Sequence, residues 1–457
     1  PAEPVRIDPD QVALERLNQA AALLDPMFDQ YAVLLPKLAN AEQARKAGDF
    51  ARMAAAEENA SESVRAQAWF RLGQARSAAG GNAREVAEAF ATAAKLGNVQ
   101  AQFAYGRILG SGQGVPKDEK AAAGWLRRAA EQGHAAAQNS LGVLYFFGRG
   151  GLANDDALAA AWFRKGAEQG HPDAQVWLGQ CLEWGRGVLA NPNEAAKWYL
   201  AAAKQGSPAG QANLGYCYAN GIGVGRYEEE AVHWYRLAAE QGDVKSMVSL
   251  GVCHYEGAGV EKNFPAAVEW FRKAAQKGDL DAVNWLGVCH EKGTGAAKDV
   301  KAAVKYFTLA AERGNAAAMT NLGLCHYHGN GVEKDYETAA KWFARAAGDG
   351  NGLAQSWLGQ CYEEGRGVKT DRKEALRLYR LAAALGVEFA KARLEALGDA
   401  PADGEAGPSP APAPAPAPAP AGRHAAGGMT VTGGSPSQSG DGITISNDLL
   451  RNIFKIR

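Results

Sequence analysis

The chain has 457 residues, 47% of them hydrophobic, which suits several domains or an open repeat array with an ample apolar core. Its 49 lysines and arginines nearly cancel its 50 aspartates and glutamates, and this balance argues against nucleic acid or an anionic membrane as partner. No apolar run reaches the roughly 18 residues of a membrane span, and no leader-like segment opens the sequence.

Residues 1–64 carry apolar side chains at helical spacing, interrupted by Pro26 and Pro36. This pattern predicts an N-terminal cap of two or three helices in front of the repeats. A separate ligand domain is the alternative interpretation of the same segment.

Farther along, a glycine preceded by an apolar residue recurs through most of the chain, and we call it the repeat glycine. It stands at Gly73, Gly106, Gly142, Gly179, Gly215, Gly251, Gly287, Gly323 and Gly359. From Gly179 onward every step is 36 residues, and a fixed period of this length indicates stacked supersecondary units. We therefore predict an all-α fold, a right-handed α/α-solenoid of about nine helix–turn–helix repeats over residues 65–397.

One unit, from Lys245 to Leu280, shows how each helix pair is encoded. A first helix over residues 247–256 ends at a Gly-Ala-Gly turn, where glycine permits a tight chain reversal. Asn263 is placed to cap the second helix, whose tryptophan slot, seen at Trp234 and Trp270, is predicted to fill the core. The cap slot is occupied elsewhere by Asp118, Asn154, Asn191, Asp299, Asp335 and Asp371.

These units resemble the Sel1-like repeat family, a relative of the tetratricopeptide solenoids. The matching stretches are Leu214-Gly215, Gly221-Ile222-Gly223-Val224, Trp234-Tyr235 and Ala238-Ala239, with their counterparts in other units. The resemblance covers roughly residues 66–397, although the first unit lacks the Gly-x-Gly-Val turn and the tryptophan. It implies a scaffold for protein complexes with no shared chemistry, so we expect a protein that is not an enzyme and needs no cofactor. The alternatives are a carbohydrate- or cell-wall-binding module and, less favoured, a hydrolase of the cysteine-rich penicillin-binding branch of the family.

After the repeats the composition changes to a Pro/Ala run and then to Gly/Ser-rich sequence, which predicts a disordered linker over residues 398–440. Residues 441–457 end in a short amphipathic segment with apolar pairs at i,i+4, Leu449 with Ile453 and Leu450 with Phe454. This segment is either a frayed tail or a tethered docking peptide.

The cysteines all stand two residues after a repeat glycine, at Cys181, Cys217, Cys253, Cys289, Cys325 and Cys361. Earlier units place Ile108 and Leu144 in that slot, so we expect cysteine to fill apolar core. Equivalent helices lie about 10 Å apart, beyond the ~7 Å limit for a disulfide. Free thiols favour a reducing compartment; export after removal of a leader stays open, because the chain begins at Pro1.

Motifs that carry chemistry are missing from the sequence. Three cysteines are followed by histidine, but adjacent helix positions point about 100° apart, so these pairs argue against a metal site. The chain also lacks the nucleophile elbow, the zinc-protease motif, the phosphate-binding loop and the Ser-x-x-Lys motif.

A partner surface is predicted on the first helix of each unit, on the arc opposite the core positions. By analogy to the family this arc lines the concave face, and its aromatic and apolar residues are predicted hot spots for a protein or peptide bound to a monomer. The predicted contact residues are Phe147, Trp177, Gln180, Trp184, Asn213, Tyr216, Val252, Trp285, Val288, Asn321, Leu324 and Trp357. For each of them, packing against a neighbouring helix is the alternative.

Overall fold

The computed structural model describes residues 37–56 and 60–398, together with the single positions 16 and 19. Across that part of the chain all regular secondary structure is helical, which confirms the predicted all-α fold. The predicted linker and C-terminal segment, from residue 399 onward, and nearly all of the first 36 residues lie outside the described residues. The helices are α1 (Lys37–Ala55), α2 (Glu62–Ala78), α3 (Ala83–Lys95), α4 (Val99–Ser111), α5 (Glu119–Glu131), α6 (Ala135–Phe147), α7 (Asp156–Glu168), α8 (Pro172–Trp184), α9 (Pro192–Lys204), α10 (Pro208–Asn220), α11 (Glu228–Glu240), α12 (Val244–Glu256), α13 (Phe264–Gln276), α14 (Leu280–Lys292), α15 (Val300–Glu312), α16 (Ala316–His328), α17 (Tyr336–Gly348), α18 (Gly352–Glu364), α19 (Arg372–Ala384) and α20 (Glu388–Ala396).

Two compact units divide the chain, the first reaching Asn213 and the second beginning at Leu214, with Ile222–Val224 grouped with the first. In both units the helices follow one another as pairs, and from α4 to α19 each helix has 13 residues. The local signals explain the uniform length. Asn263 Oδ1 accepts a hydrogen bond from Ala266 N at 3.0 Å and starts α13. The first helix α12 ends at Gly257, whose φ of +79° belongs to the left-handed region that favours glycine.

The predicted cap at Asn154 is wrong. Helix α7 is capped by Asp155, whose Oδ1 accepts a hydrogen bond from Leu158 N at 2.8 Å. The Asn154 amide instead donates to the carbonyl of Phe146 at 2.6 Å, at the end of the preceding helix. This turn is one residue longer than its counterparts, and the additional residue moves the cap by one position.

Each repeat glycine in these pairs is packed against a side chain of the second helix, which is a ring in most pairs. A Cβ atom added to Gly251 would lie 2.5 Å from Cε1 of Phe271, closer than van der Waals contact allows. Phe271 is fully buried, and the equivalent rings are Phe163, Tyr199, Tyr235, Phe307, Phe343 and Tyr379. The core role predicted for Trp234 and Trp270 is met only in part, because both side chains are half-buried, and Trp270 packs against the fully buried core residues. The next residue, about 100° farther around the helix, fills the core, while Lys273 Nζ lies 4.1 Å from the centre of the Trp270 ring.

The second glycine of each turn packs against the preceding pair. Gly259 has a φ of +66°, and a Cβ atom there would lie 2.2 Å from the carbonyl carbon and oxygen of Glu228, at the start of α11. Backbone thus approaches backbone where successive pairs stack, which only glycine permits. The Gly-x-Gly turn therefore serves both the reversal within a pair and the contact between pairs.

None of the six cysteines, all of which the structure describes, is in a disulfide, and all but the half-buried Cys253 are buried. Burial raises the pKa of the thiols of Cys181, Cys253, Cys325 and Cys361 to about 12 and that of Cys289 to about 11. A thiol in this state contributes little nucleophilic thiolate at neutral pH.

Native protein should therefore react slowly with a bulky thiol reagent, and six thiols should react after unfolding. A disulfide found by mass spectrometry would contradict the assignment of these cysteines to the core.

Candidate functional site

The structure separates the twelve predicted contact residues into three groups by exposure. Seven are buried, which makes the prediction of an exposed binding role wrong for them: Trp177, Gln180, Val252, Trp285, Val288, Leu324 and Trp357. Asn213 and Asn321 are half-buried. Phe147, Trp184 and Tyr216 are exposed, and of the predicted residues they are the ones that present a large ring to solvent.

Stacking between successive pairs is the reason that the three tryptophans are buried. The ring of Trp285 lies parallel to that of Phe271, with centroids 5.4 Å apart and an interplanar angle of 7°, and Tyr255 packs against it at 5.3 Å. The same arrangement joins Trp177 to Phe163 at 5.5 Å, and Trp357 to Phe343 at 6.0 Å. Each indole thus fills a slot between a second-helix ring and the end of the preceding first helix, which we call the indole slot.

A signal for this burial is present in the sequence, between positions 30 or 31 residues apart. In some repeats the fourth residue after the repeat glycine is aromatic. The next repeat then carries tryptophan two residues before its own repeat glycine, as in Phe146 with Trp177. Tyr255 and Tyr327 precede Trp285 and Trp357 in the same way. At the end of the array this pair of positions is filled by an ion pair between Glu363 and Arg393. Residues coupled in this way contact each other and are unavailable to a partner.

Four large apolar side chains on α6, α7, α8 and the turn after α8 are exposed, Phe147, Leu158, Trp184 and Leu189, and we call this set the exposed patch. Phe147 is 40% exposed and Trp184 is 38% exposed, at the ends of α6 and α8. Leu189, in the turn after α8, is 92% exposed. The pattern of varying first-helix residues predicted the two rings but neither leucine. Leu189 stands at a turn position where other repeats carry a polar residue, such as Glu261 or Glu333. This difference was the sequence signal that could have identified Leu189.

Arg186 links the elements that carry the patch. Its guanidinium lies 3.8 Å from the centre of the Phe146 ring and donates to both carboxylate oxygens of Asp156, at 2.9 and 3.1 Å. These contacts join the turn that holds Leu189 to the end of α6 and to the start of α7. A second cation, Arg149, lies 5.1 Å from the centre of the Phe147 ring. The patch therefore combines apolar side chains with positive charge on fixed backbone.

Glu291 occupies a position where two other glutamates accept a hydrogen bond from tyrosine. Tyr199 Oη donates to Glu183 at 2.7 Å, and Tyr379 Oη donates to Glu363 at 2.8 Å. In the repeat of Glu291 the equivalent ring is Phe307, which has no hydroxyl. Burial raises the pKa of the Glu291 carboxyl, although Lys292 and Lys298 oppose the shift.

This raised pKa predicts a pH-dependent loss of stability. An unfolded glutamate titrates near ~4.3, so the folded state binds the proton more tightly, and stability falls as pH rises from that value through the folded pKa. Glu291→Gln should therefore raise the melting temperature at pH 7 and change it little at pH 4. Glu229 is exposed, and Glu229→Gln is the matched control. It should leave the melting temperature unchanged at both pH 7 and pH 4. An equal effect of the two substitutions at pH 7 would contradict the assignment.

Two further observations concern metals and membranes. Within residues 37–56 and 60–398, no three histidine, cysteine, aspartate or glutamate side chains come close enough together to hold a metal ion. None of the described helices combines the length and the apolar character that crossing a membrane requires.

Comparisons with known proteins identify the repeat. A family model described as Sel1 repeat matches residues 99–134, 135–171, 172–207, 208–243, 244–279, 280–315, 316–351 and 352–387, more than half of the chain. Among solved structures, the Escherichia coli protective antigen c5321, described as displaying an SLR fold, is 31% identical, with 86% of this chain and 82% of that chain covered and a TM-score of 0.63. A Sel1 repeat protein from Oxalobacter formigenes is also 31% identical over 54% of this chain and 96% of its own, with a TM-score of 0.50. A comparison with curated proteins finds no match.

Proposed function

Because the chain belongs to the Sel1 repeat family, we propose that it is a non-catalytic scaffold whose protein or peptide partner binds the exposed patch. The Sel1 repeat solenoid is a fold that commonly mediates protein–protein interaction. The observation that carries the proposal is the exposure of Phe147, Trp184 and Leu189, together with the guanidinium of Arg149 beside the Phe147 ring. The comparisons support neither the carbohydrate-binding alternative nor the hydrolase alternative.

The chemistry of the patch defines the partner. Exposed tryptophan and phenylalanine provide a large contact area at low cost in side-chain entropy, and such residues are enriched at binding hot spots. The guanidinium of Arg149 beside Phe147 favours an acidic group next to the apolar side chains of the partner. We therefore propose a segment that combines apolar residues with aspartate or glutamate.

A capture experiment with matched variants tests the proposal. The full chain is immobilised, and bound proteins are quantified for wild type, for Phe147→Ser with Trp184→Ser, and for Leu309→Ser with Leu381→Ser. The control leucines lie on α15 and α19 and are about as exposed as the patch rings. A partner should be lost with the patch variant and retained with the control. Equal retention by both variants would place binding elsewhere.

A further inference from the structure

A pocket of about 330 Å³ lies in the first unit, where α4 follows the pair α2 and α3. Its walls include Phe70 and Ser77 on α2, Phe90 on α3, and Phe103 and Ala104 on α4. His134, the cap of α6, completes the lining. The volume is at the lower end of the range for small-ligand sites, which is about 300–1,000 Å³. Its lining residues are different from those of the exposed patch, which lie on α6, α7, α8 and the turn after α8.

The repeat register identifies this pocket as an indole slot. Ala104 stands two residues before the repeat glycine Gly106. Trp177, Trp285 and Trp357 occupy this position in later repeats. Ser77 stands four residues after Gly73, a position that Phe146, Tyr255 and Tyr327 occupy in later repeats. Small residues therefore replace both rings that close the slot elsewhere.

The base of the slot is retained. Phe90 occupies the position of Phe163, Phe271 and Phe343, the rings on which the other indoles stack. It is buried against Gly73, where an added Cβ would lie 2.9 Å from the Phe90 ring. Phe70 packs against Phe90 with ring centroids 5.8 Å apart. The site thus offers an aromatic surface, and three other repeats show which group covers that surface.

His134 supplies a polar group at the edge of the pocket. Its Nδ1 accepts a hydrogen bond from Ala137 N at 3.2 Å, which leaves the proton of the neutral ring on Nε2. Burial lowers the pKa of His134, so the ring is neutral at pH 7. It stacks on Phe103 with ring centroids 4.6 Å apart. An Nε2–H donor beside an aromatic slot suits the backbone carbonyl next to an inserted side chain.

We propose that this pocket binds an aromatic side chain of a partner peptide, with indole preferred, which stacks on Phe90 as the internal tryptophans stack on their phenylalanines. The observation that carries the proposal is the substitution of Ala104 and Ser77 for a tryptophan and a ring at a site whose base, Phe90, is unchanged. The tryptophan of the partner takes the place that the chain fills itself in three later repeats.

The test uses the full chain with 5-fluoroindole, observed by ¹⁹F NMR, and with a short Gly/Ser peptide that carries one central Trp, Leu or Ala. Wild type should bind 5-fluoroindole saturably and should prefer the Trp peptide over the Leu and Ala peptides. Ala104→Trp should fill the slot, weaken 5-fluoroindole binding by about tenfold or more, and raise the melting temperature. Ser111→Trp, at an exposed position of the same helix, should leave binding unchanged.

Two further variants keep the test decisive if Ala104→Trp folds poorly. Trp285→Ala should open an equivalent slot against Phe271, and 5-fluoroindole should raise the lowered melting temperature of that variant. Phe454→Ala should leave 5-fluoroindole binding unchanged. If it strengthens binding, the occupant is the chain's own C-terminal segment and the proposal of an external partner is wrong. Undetectable binding to wild type, or equal binding to wild type and Ala104→Trp, would also overturn the proposal.

Discussion

Replacing Trp177 by alanine should lower the free energy of unfolding of the first unit by about 3–5 kcal/mol, the usual cost of truncating a buried tryptophan. Trp177 is 4% exposed and packs against Phe146, Phe147 and Phe163. Its loss would leave a cavity between two successive helix pairs. Because each pair is stabilised by its neighbours, the damage should extend beyond one repeat. Thermal unfolding followed by calorimetry measures the effect.

Trp184 provides the matched control, seven residues later in the same helix. At 38% exposure its replacement by alanine should change the unfolding free energy by no more than about 1 kcal/mol. Trp177→Phe gives a second comparison, because Trp177 Nε1 is buried and no described residue accepts a hydrogen bond from it, which costs about 1–3 kcal/mol. Phenylalanine keeps a ring over Phe163 and removes that donor, so it should destabilise less than alanine. Equal destabilisation by Trp177→Ala and Trp184→Ala would contradict the division between core and patch.

Gly259→Ala should lower the free energy of unfolding by about 2–5 kcal/mol, a large loss for one added methyl group. Its φ of +66° costs an alanine about 1–2 kcal/mol, and the added Cβ at 2.2 Å from the Glu228 carbonyl must push two helix pairs apart. Gly278 lies in the same repeat with a φ of +90°, but no described atom lies within 4 Å of a Cβ placed there. Gly278→Ala should therefore cost only the backbone strain.

Chemical denaturation of both glycine variants checks this difference. We expect a clearly larger loss for Gly259→Ala, because only that substitution combines backbone strain with a steric clash. Similar losses would mean that the contact between successive pairs tolerates an extra methyl group and that the second turn glycine serves the reversal alone.

The helices and turns could be predicted from the sequence because their signals are local. Asn263 begins a helix and Gly257 ends one through contacts within a few residues, and the 36-residue period repeats these signals. The exposure of single residues could not be predicted in the same way. Trp177 and Trp184 lie on one arc of α8, yet Trp177 is buried against Phe163 of the preceding helix pair, whereas Trp184 is 38% exposed.

Stacking between pairs is a long-range property, and a helical projection of one unit does not contain it. The coupling of Tyr255 with Trp285, 30 residues apart, is the sequence pattern that carries this information. Comparison of successive units at that spacing would have assigned Trp285 to the core. It would also have shown that small residues, Ser77 and Ala104, stand at both of these positions beside Phe90. The leucines of the patch were missed because a single exposed leucine has no periodic signature.

The central claim is that the exposed patch, rather than the buried tryptophans, binds the partner. The most direct measurement is the calorimetric affinity of a partner captured by wild type for three proteins: wild type, Phe147→Ser with Trp184→Ser, and Leu309→Ser with Leu381→Ser. We expect the patch variant to stay folded and to lose at least about 2 kcal/mol of binding free energy, and the control to bind like wild type. Undiminished affinity of a folded patch variant would contradict the claim.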